Sequence, residues 1–391
     1  MVQSTRAGAM YGAALIVVII LFNLFKYPGF RFGLDYAHAT GKTLIGGYHE
    51  LSPWLVIALA VMNIMLVPIG LSAVSVTTAA ILSAVTGTGL PLMVLVLIAI
   101  AATLLLLLFG GYRWLEWLSK LLLVFLTLAT VGAAALALPQ VKWGSLFDVN
   151  WAIDPMGLLF VVALAGFMPT VMGQSVDVSL WTLKSQEETG SDERLSLQAS
   201  RKGFLAAYLL TSFLAVCFCV LGAGIMHASG ITAESSAAEL AAQIIGLYRD
   251  TLGPIAASFA GVAALFILAT TLAASFDGAA RGFGAMVQEY RGDIGGTASR
   301  ATYALFLIAF GVLSYVFLSL MLQSFTTFID LVTSIFFVVT PATAVVNHLV
   351  ITRCKMPAGH RPSVAIRMLS VIGILVMSAL AVLFFMLKAM T

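Results

Sequence analysis

"MPTVMGQSVDVSLW", residues 168–181, decides the fold. It lies inside an apolar run over about 156–184, long enough to cross a bilayer. Yet it carries Pro169, Gly173, Gln174, Asp177 and three hydroxyls, on Thr170, Ser175 and Ser179. Gly173 is a poor helix former, and Pro169 lacks an amide donor and strains the preceding turn. In lipid, unpaired backbone is tolerated only where it is buried in protein or lines a cavity. The stretch therefore predicts a helix that breaks near mid-membrane beside a cavity. Ser175 is placed to cap a second half-helix, and Asp177 falls in its first turn. The plain alternative is a kinked helix whose polar groups satisfy one another.

The rest of the chain is built for the same medium. Of 391 residues, 61% are hydrophobic and 9% charged, with a mean hydropathy of +1.05. Soluble domains carry about 25% charged residues, so one aqueous core could not hide this much apolar surface. The expectation is an all-α polytopic membrane protein forming one transmembrane domain. A net charge of +3 gives no reason to invoke nucleic acid. Cys217, Cys219 and Cys354 make neither a zinc spacing nor a disulfide framework. No phosphate-cradling G-x-x-x-x-G-K-[ST] is present, which argues against an ATP-driven pump.

Outward from the opening stretch, apolar helical segments read at about 13–38, 53–86, 90–110, 113–138, 156–184, 203–228, 254–290, 298–322, 324–351 and 362–388, with a stub at 2–12. The 53–86 segment is either a long tilted helix or one kinked at Pro68 and Gly70. The stretch at 229–253 has helical spacing and reads as an amphipathic piece on the outer surface. With the end of the first full span placed inside, fifteen Lys and Arg fall on the inner side. They include Lys26, Arg31, Arg113, Arg194, Arg201 and Arg291. Three fall outside, namely Lys142, Arg249 and Lys388. That bias supports the span count. A bacterial inner membrane is the expected location.

A charge at the bilayer centre costs at least ~2.5–3.5 kcal/mol, so each needs a reason. The candidates are Arg6, Asp177, Asp277, Arg281 and Asp330. Asp277 and Arg281 stand four apart, acid first, the favourable order for an ion pair within one helix. They are either a structural pair or the lining of a water-filled path. Asp330 reads as interfacial. Gly8 and Gly12 form a G-x-x-x-G that permits close helix packing.

Several stretches together resemble the natural-resistance-associated macrophage protein family of divalent metal transporters. They are "AGAMYG" at 7–12, "FKYPGFRFGLDYAHATGKTLIGGY" at 25–48, "YRWLE" at 112–116 and "TVMGQS" at 170–175. The last occupies the place of the family's sixth-helix T-V-M-P-H-N. The resemblance implies a leucine-transporter-like inverted-repeat fold, with repeats at about 1–138 and 156–351 and a further helix at 362–388. It also implies a metal site between the broken first and sixth helices. The family's first helix breaks at D-P-G-N, which would lie before Met1, so Met1 is expected to stand inside a longer reading frame. At 173–175 Gly, Gln and Ser replace Pro, His and Asn. The acids that move protons on the family's third helix match Ile64 and Val67, and the tenth-helix glutamine matches Val339. No proton relay is evident, which puts proton coupling in doubt.

The candidate metal ligands are Met172, Gln174, Asp177 and Thr170, the last through a hydroxyl or a freed carbonyl there or at Val171. A thioether favours softer metals, while amide, hydroxyl and carboxylate oxygens suit Mn²⁺ and Mg²⁺. Gating or path roles fall to Arg6, Asp277 and Arg281, with Arg6 also a candidate partner for Asp177. Three functions stay open. The first is a divalent metal transporter without proton coupling. The second is a transporter of an organic solute such as an amino acid, its carboxylate held by Arg6 and half-helix N-termini. The third is a non-transporting membrane sensor or assembly partner. An enzyme is not expected, because the five histidines scatter and no nucleophile and base cluster. No cofactor is expected. The partners are a divalent ion as substrate and the lipid bilayer.

Overall fold

The computed structural model describes residues 1–109, 112–188, 196–291, 299–322 and 324–390. Arg194 lies outside the described residues, as do the side chains of residues 112–116, Arg113 among them, and of Arg291. The helices in chain order are α1 (Val2–Tyr11), α2 (Ala14–Thr40), α3 (Leu44–Leu51), α4 (Pro53–Thr86), α5 (Leu92–Phe109) and α6 (Tyr112–Ala137). There follow α7 (Asn150–Ile153), α8 (Pro155–Gly166), α9 (Ser175–Glu188), α10 (Leu197–Leu221) and α11 (Ala237–Leu252). The last four are α12 (Pro254–Arg291), α13 (Arg300–Met321), α14 (Phe325–Arg353) and α15 (Val364–Met390).

Nine helices among the described residues are long and apolar enough to cross a membrane. The tenth expected span is divided between α8 and α9, as the Gly173 region predicted. The chain is an integral, multi-pass membrane protein. α4 is one continuous helix of 34 residues with Pro68 inside it. α11 buries Ala237, Leu240, Ala241, Ile244, Leu247 and Tyr248, an i, i+3, i+4, i+7 stripe. That stripe packs on α4, α6 and α12, so the piece expected at the membrane surface rests on protein.

Close crossings set the depth of each rod. A methyl group at Gly8 would stand 2.0 Å from the Cys219 carbonyl oxygen, and one at Gly222 would stand 2.1 Å from that of Thr5. α1 thus meets the end of α10, which continues as a π-helical turn over Gly222–His227, backbone against backbone. Gly8 serves the close packing expected of the G-x-x-x-G. Gly12 instead ends α1 at φ +59°.

Two sequence expectations about charge are corrected. Lys26, counted among the inner-loop cations, is fully buried within α2. Arg6 does not pair with Asp177. Its guanidinium grips Asp330 at 2.7 and 2.9 Å, and Gln3 joins the pair at 2.8 Å from each. A carboxylate on α14 therefore holds α1 from a position that read as interfacial; its side chain remains 34% exposed.

Candidate functional site

α8 ends at Gly166, where a methyl group would strike the Thr333 carbonyl oxygen at 1.9 Å. The half-helix is pressed against α14 at the point where it stops. The chain then runs irregularly, with a cis Met168–Pro169 bond, through a 3-10 turn at Met172–Gln174, and α9 starts at Ser175. Ser175 departs from its expected capping role: its Oγ accepts from Asn347 Nδ2 at 2.8 Å. The same amide nitrogen reaches the Gly29 carbonyl at 3.2 Å, and Asn347 Oδ1 accepts from Tyr48. Asn347 thus ties α2, α3 and α14 to the first residue of α9. α2 also crosses the start of α9 closely, because a methyl at Gly33 would lie 2.3 Å from the Ser175 carbonyl oxygen.

Beside the break lies a cavity of about 140 Å³. The break lines it with Val171, Gly173, Gln174 and Asp177. α4 contributes Asn63, Val67, Gly70, Leu71 and Val74, and α12 contributes Ser275, Gly278, Ala279, Gly282, Phe283 and Met286. Both sets recur at helical spacing, so each is one face of one rod. The walls are mostly apolar. Their polar points are Asn63, Gln174, Asp177 and Ser275.

The candidate ligands separate. Gln174 and Asp177 line the cavity together. Thr170 supports them from behind, its hydroxyl donating to Gln174 Oε1 at 2.6 Å. Met172 is 2% exposed and turned to α2, where its Sδ lies 2.7 Å from a methyl built at Gly29. The methionine on the lining is Met286. The carbonyls expected to be free are engaged: that of Thr170 accepts from Lys26 Nζ at 3.2 Å, and that of Val171 from the Gln174 amide at 3.1 Å.

Asp177 has no ion-pair partner among the described residues. Its carboxylate faces Gly278, where an added methyl would sit 3.4 Å from Oδ1. The nearby cations are committed elsewhere. Arg6 holds Asp330, and Arg281 Nε holds Asp277 Oδ2 at 2.7 Å, as the i, i+4 spacing predicted. Tyr303 donates to the other Asp277 oxygen at 2.7 Å, and the Arg281 guanidinium carbon stands 5.4 Å from the Tyr303 ring centre. Asp277 and Arg281 do not line the cavity. No three His, Cys, Asp or Glu side chains gather into a metal cluster among the described residues. A cation here would rest on one carboxylate with amide and hydroxyl oxygens.

A family model described as natural resistance-associated macrophage protein-like, or Nramp, matches residues 1–387. The chain belongs to the Nramp family. Uncharacterized protein PM0681 of Pasteurella multocida (strain Pm70) is 31% identical over 319 residues, spanning 80% of this Nramp chain and 72% of that protein. The fold is shared with a crystal structure of the Eremococcus coleocola manganese transporter bound to an aromatic bis-isothiourea-substituted compound. That match has a TM-score of 0.70 at 12% identity and covers 98% of this chain and 82% of that one. A point mutant of the same transporter matches with a TM-score of 0.66 over the same shares. The leucine-transporter-like architecture expected from the resemblance is therefore present, and with it the transporter class of Nramp proteins. Sequence reading missed Asn63 and Ser275 at this site. Asn63 was findable, as the one polar side chain between Pro53 and Pro68.

Proposed function

We propose that this chain carries divalent metal cations across a bacterial inner membrane, and that the cargo rests in the cavity at the α8–α9 break. The observation that carries the reading is Asp177: a carboxylate on a cavity wall with no cation paired to it among the described residues. Gln174, Asn63 and Ser275 add neutral oxygens, with Thr170 orienting Gln174. Met172 falls outside this ligand set, and Met286 supplies the thioether that a softer metal would find. Hard oxygen donors with one thioether suit Mn²⁺ and Fe²⁺ as well as Mg²⁺.

The organic-solute reading needs a cation to hold a carboxylate. Arg6 is bound in two places to Asp330, and Asp177 would repel such a group. Transport is proposed to run without a coupled proton, since Asp177 is the single titratable side chain on the lining among the described residues and Val67 stands where the family resemblance places an acid. Repeats at about 1–138 and 156–351 are proposed to rock about this point.

The test is Mn²⁺ uptake into proteoliposomes. Wild type should accumulate Mn²⁺ down its gradient, and Asp177→Asn should lose that uptake. An imposed pH gradient should leave the rate unchanged. Wild-type vesicles no more permeable to Mn²⁺ or Mg²⁺ than empty ones would end the transport reading, and acceleration by inward acid would end the uncoupled one.

A further inference from the structure

A helix that stops inside a membrane leaves its last carbonyls without amide donors, and the helix dipole concentrates negative potential on them. α8 stops at Gly166 with its C-terminal end buried; the Ala165 carbonyl takes a long bond from the Met168 amide at 3.3 Å, and Pro169 can donate nothing. Three oxygens, from Ala165, Gly166 and Thr170, converge on one point. That point is occupied by Lys26 Nζ, at 2.6 Å from Ala165, 3.1 Å from Gly166 and 3.2 Å from Thr170. Three acceptors match the three N–H groups of an ammonium. Lys26 is fully buried, and no carboxylate pairs with it among the described residues. An amino group held in a membrane protein by main-chain oxygens alone occupies a place with the chemistry of an ion site: dehydrated, oxygen-lined and at the negative end of a half-helix.

We propose that the carbonyls of Ala165, Gly166 and Thr170 form a binding site for a monovalent cation of the ammonium and alkali-ion class, which this chain fills with its own Lys26. The tethered amino group does what a free ion would otherwise do. It satisfies the broken end of α8 and clamps it to α2, so the break is held at every ion composition. It also bars those oxygens from the cargo. The Thr170 carbonyl receives Lys26 while the Thr170 hydroxyl holds Gln174, so the filled site lies directly behind the cavity wall. Cargo is thereby confined to the Asp177 side. That last consequence rests on the transport reading above; the site itself does not.

The test therefore reads ion binding rather than transport. Wild type and Lys26→Met are purified in detergent in choline chloride. Thermal unfolding is then followed as choline is replaced by Na⁺, K⁺, Rb⁺ or NH₄⁺ at constant ionic strength. Wild type should show no ion-specific change. Lys26→Met should unfold at a lower temperature in choline and regain several degrees, saturably, with at least one of the small ions. Should that variant not survive in choline, it is purified separately in each salt, with the yield of monodisperse protein as the readout, and Lys26→Gln is run alongside. Equal loss of Lys26→Met and Lys26→Gln in every salt, or equal rescue by choline, overturns the proposal. So does ion-specific stabilisation of wild type, because its site would then not be filled. Failure of Mn²⁺ uptake in the earlier experiment would leave these outcomes unchanged.

Discussion

Arg6 on α1 and Asp330 on α14 form a two-pronged ion pair, Nη1 to Oδ1 at 2.7 Å and Nη2 to Oδ2 at 2.9 Å. The Arg6 guanidinium carbon also stands 5.3 Å from the Phe160 ring centre, so the pair reaches α8 as well. Three elements around the helix break are thus joined at one charged contact.

Breaking that contact from either side should leave an unpaired charge in a poorly hydrated place. A fully buried pair loses about 3–5 kcal/mol when one partner is removed. Asp330 keeps 34% of its side chain exposed, so about 2 kcal/mol is expected for Arg6→Ala or Asp330→Asn. In unfolding experiments the double variant should lose at least ~1 kcal/mol less than the sum of the singles. Arg6→Ala combined with Asp177→Asn should be additive. Strong coupling in that second cycle would restore Asp177 as the partner of Arg6.

Asp177→Asn removes the negative charge from the cavity wall while keeping the side chain's size. A lost charge-assisted contact is worth about 1.5–3 kcal/mol, roughly a ten- to hundredfold weakening of ion binding. Calorimetric titration with Mn²⁺ should show that loss, with the thermal stability of the empty protein held or raised. Unchanged affinity would take Asp177 off the site.

The two methionines should behave oppositely. Met172 packs on Gly29 outside the cavity, so Met172→Ala is expected to cost about 2–5 kcal/mol of stability. The ratio of Cd²⁺ to Mg²⁺ inhibition of Mn²⁺ uptake should not move. Met286→Ala should lower that ratio by weakening Cd²⁺ alone. The reverse pattern would put the sulfur donor back on Met172.

Gly8→Ala should disrupt the meeting of α1 with α10, because the new methyl would lie 2.0 Å from a backbone oxygen that cannot rotate away. A fall in unfolding temperature of several degrees is expected. Gly203→Ala, on the same α10, meets nothing within 4 Å and should be neutral or stabilising by up to about 1 kcal/mol through helix propensity. Equal effects at the two positions would mean that the crossing is looser than these distances require.

What could be read along the chain and what could not follow one division. The broken span at 168–181 was legible because Pro169, Gly173 and the polar residues after them disturb a helix through their own backbone and side-chain chemistry. Asp277 and Arg281 were legible because an i, i+4 pair is fixed by the pitch of a single helix. Arg6 was different. Asp177 and Asp330 were both carboxylates in apolar surroundings, and nothing local ranks a partner 171 residues away against one 324 residues away. The sequence pointed to Met172 through the TVMGQS stretch, and that Met286 faces the cavity instead was not legible, since it depends on the rotation of separate rods.

Hydropathy, helix breaks and same-helix pairs are properties of neighbours in sequence, and these the amino-acid order alone determined, down to a polytopic α-helical chain with one span interrupted at Gly173. The pairing of Arg6 with Asp330, the burial of Lys26 in the carbonyls of Ala165, Gly166 and Thr170, and the isolation of Asp177 were decided by tertiary structure. They depend on how far each helix slides and turns against the next. That is set by backbone contacts such as Gly8 on Cys219, Gly33 on Ser175 and Gly166 on Thr333, where the absence of one methyl group allows two helices to touch.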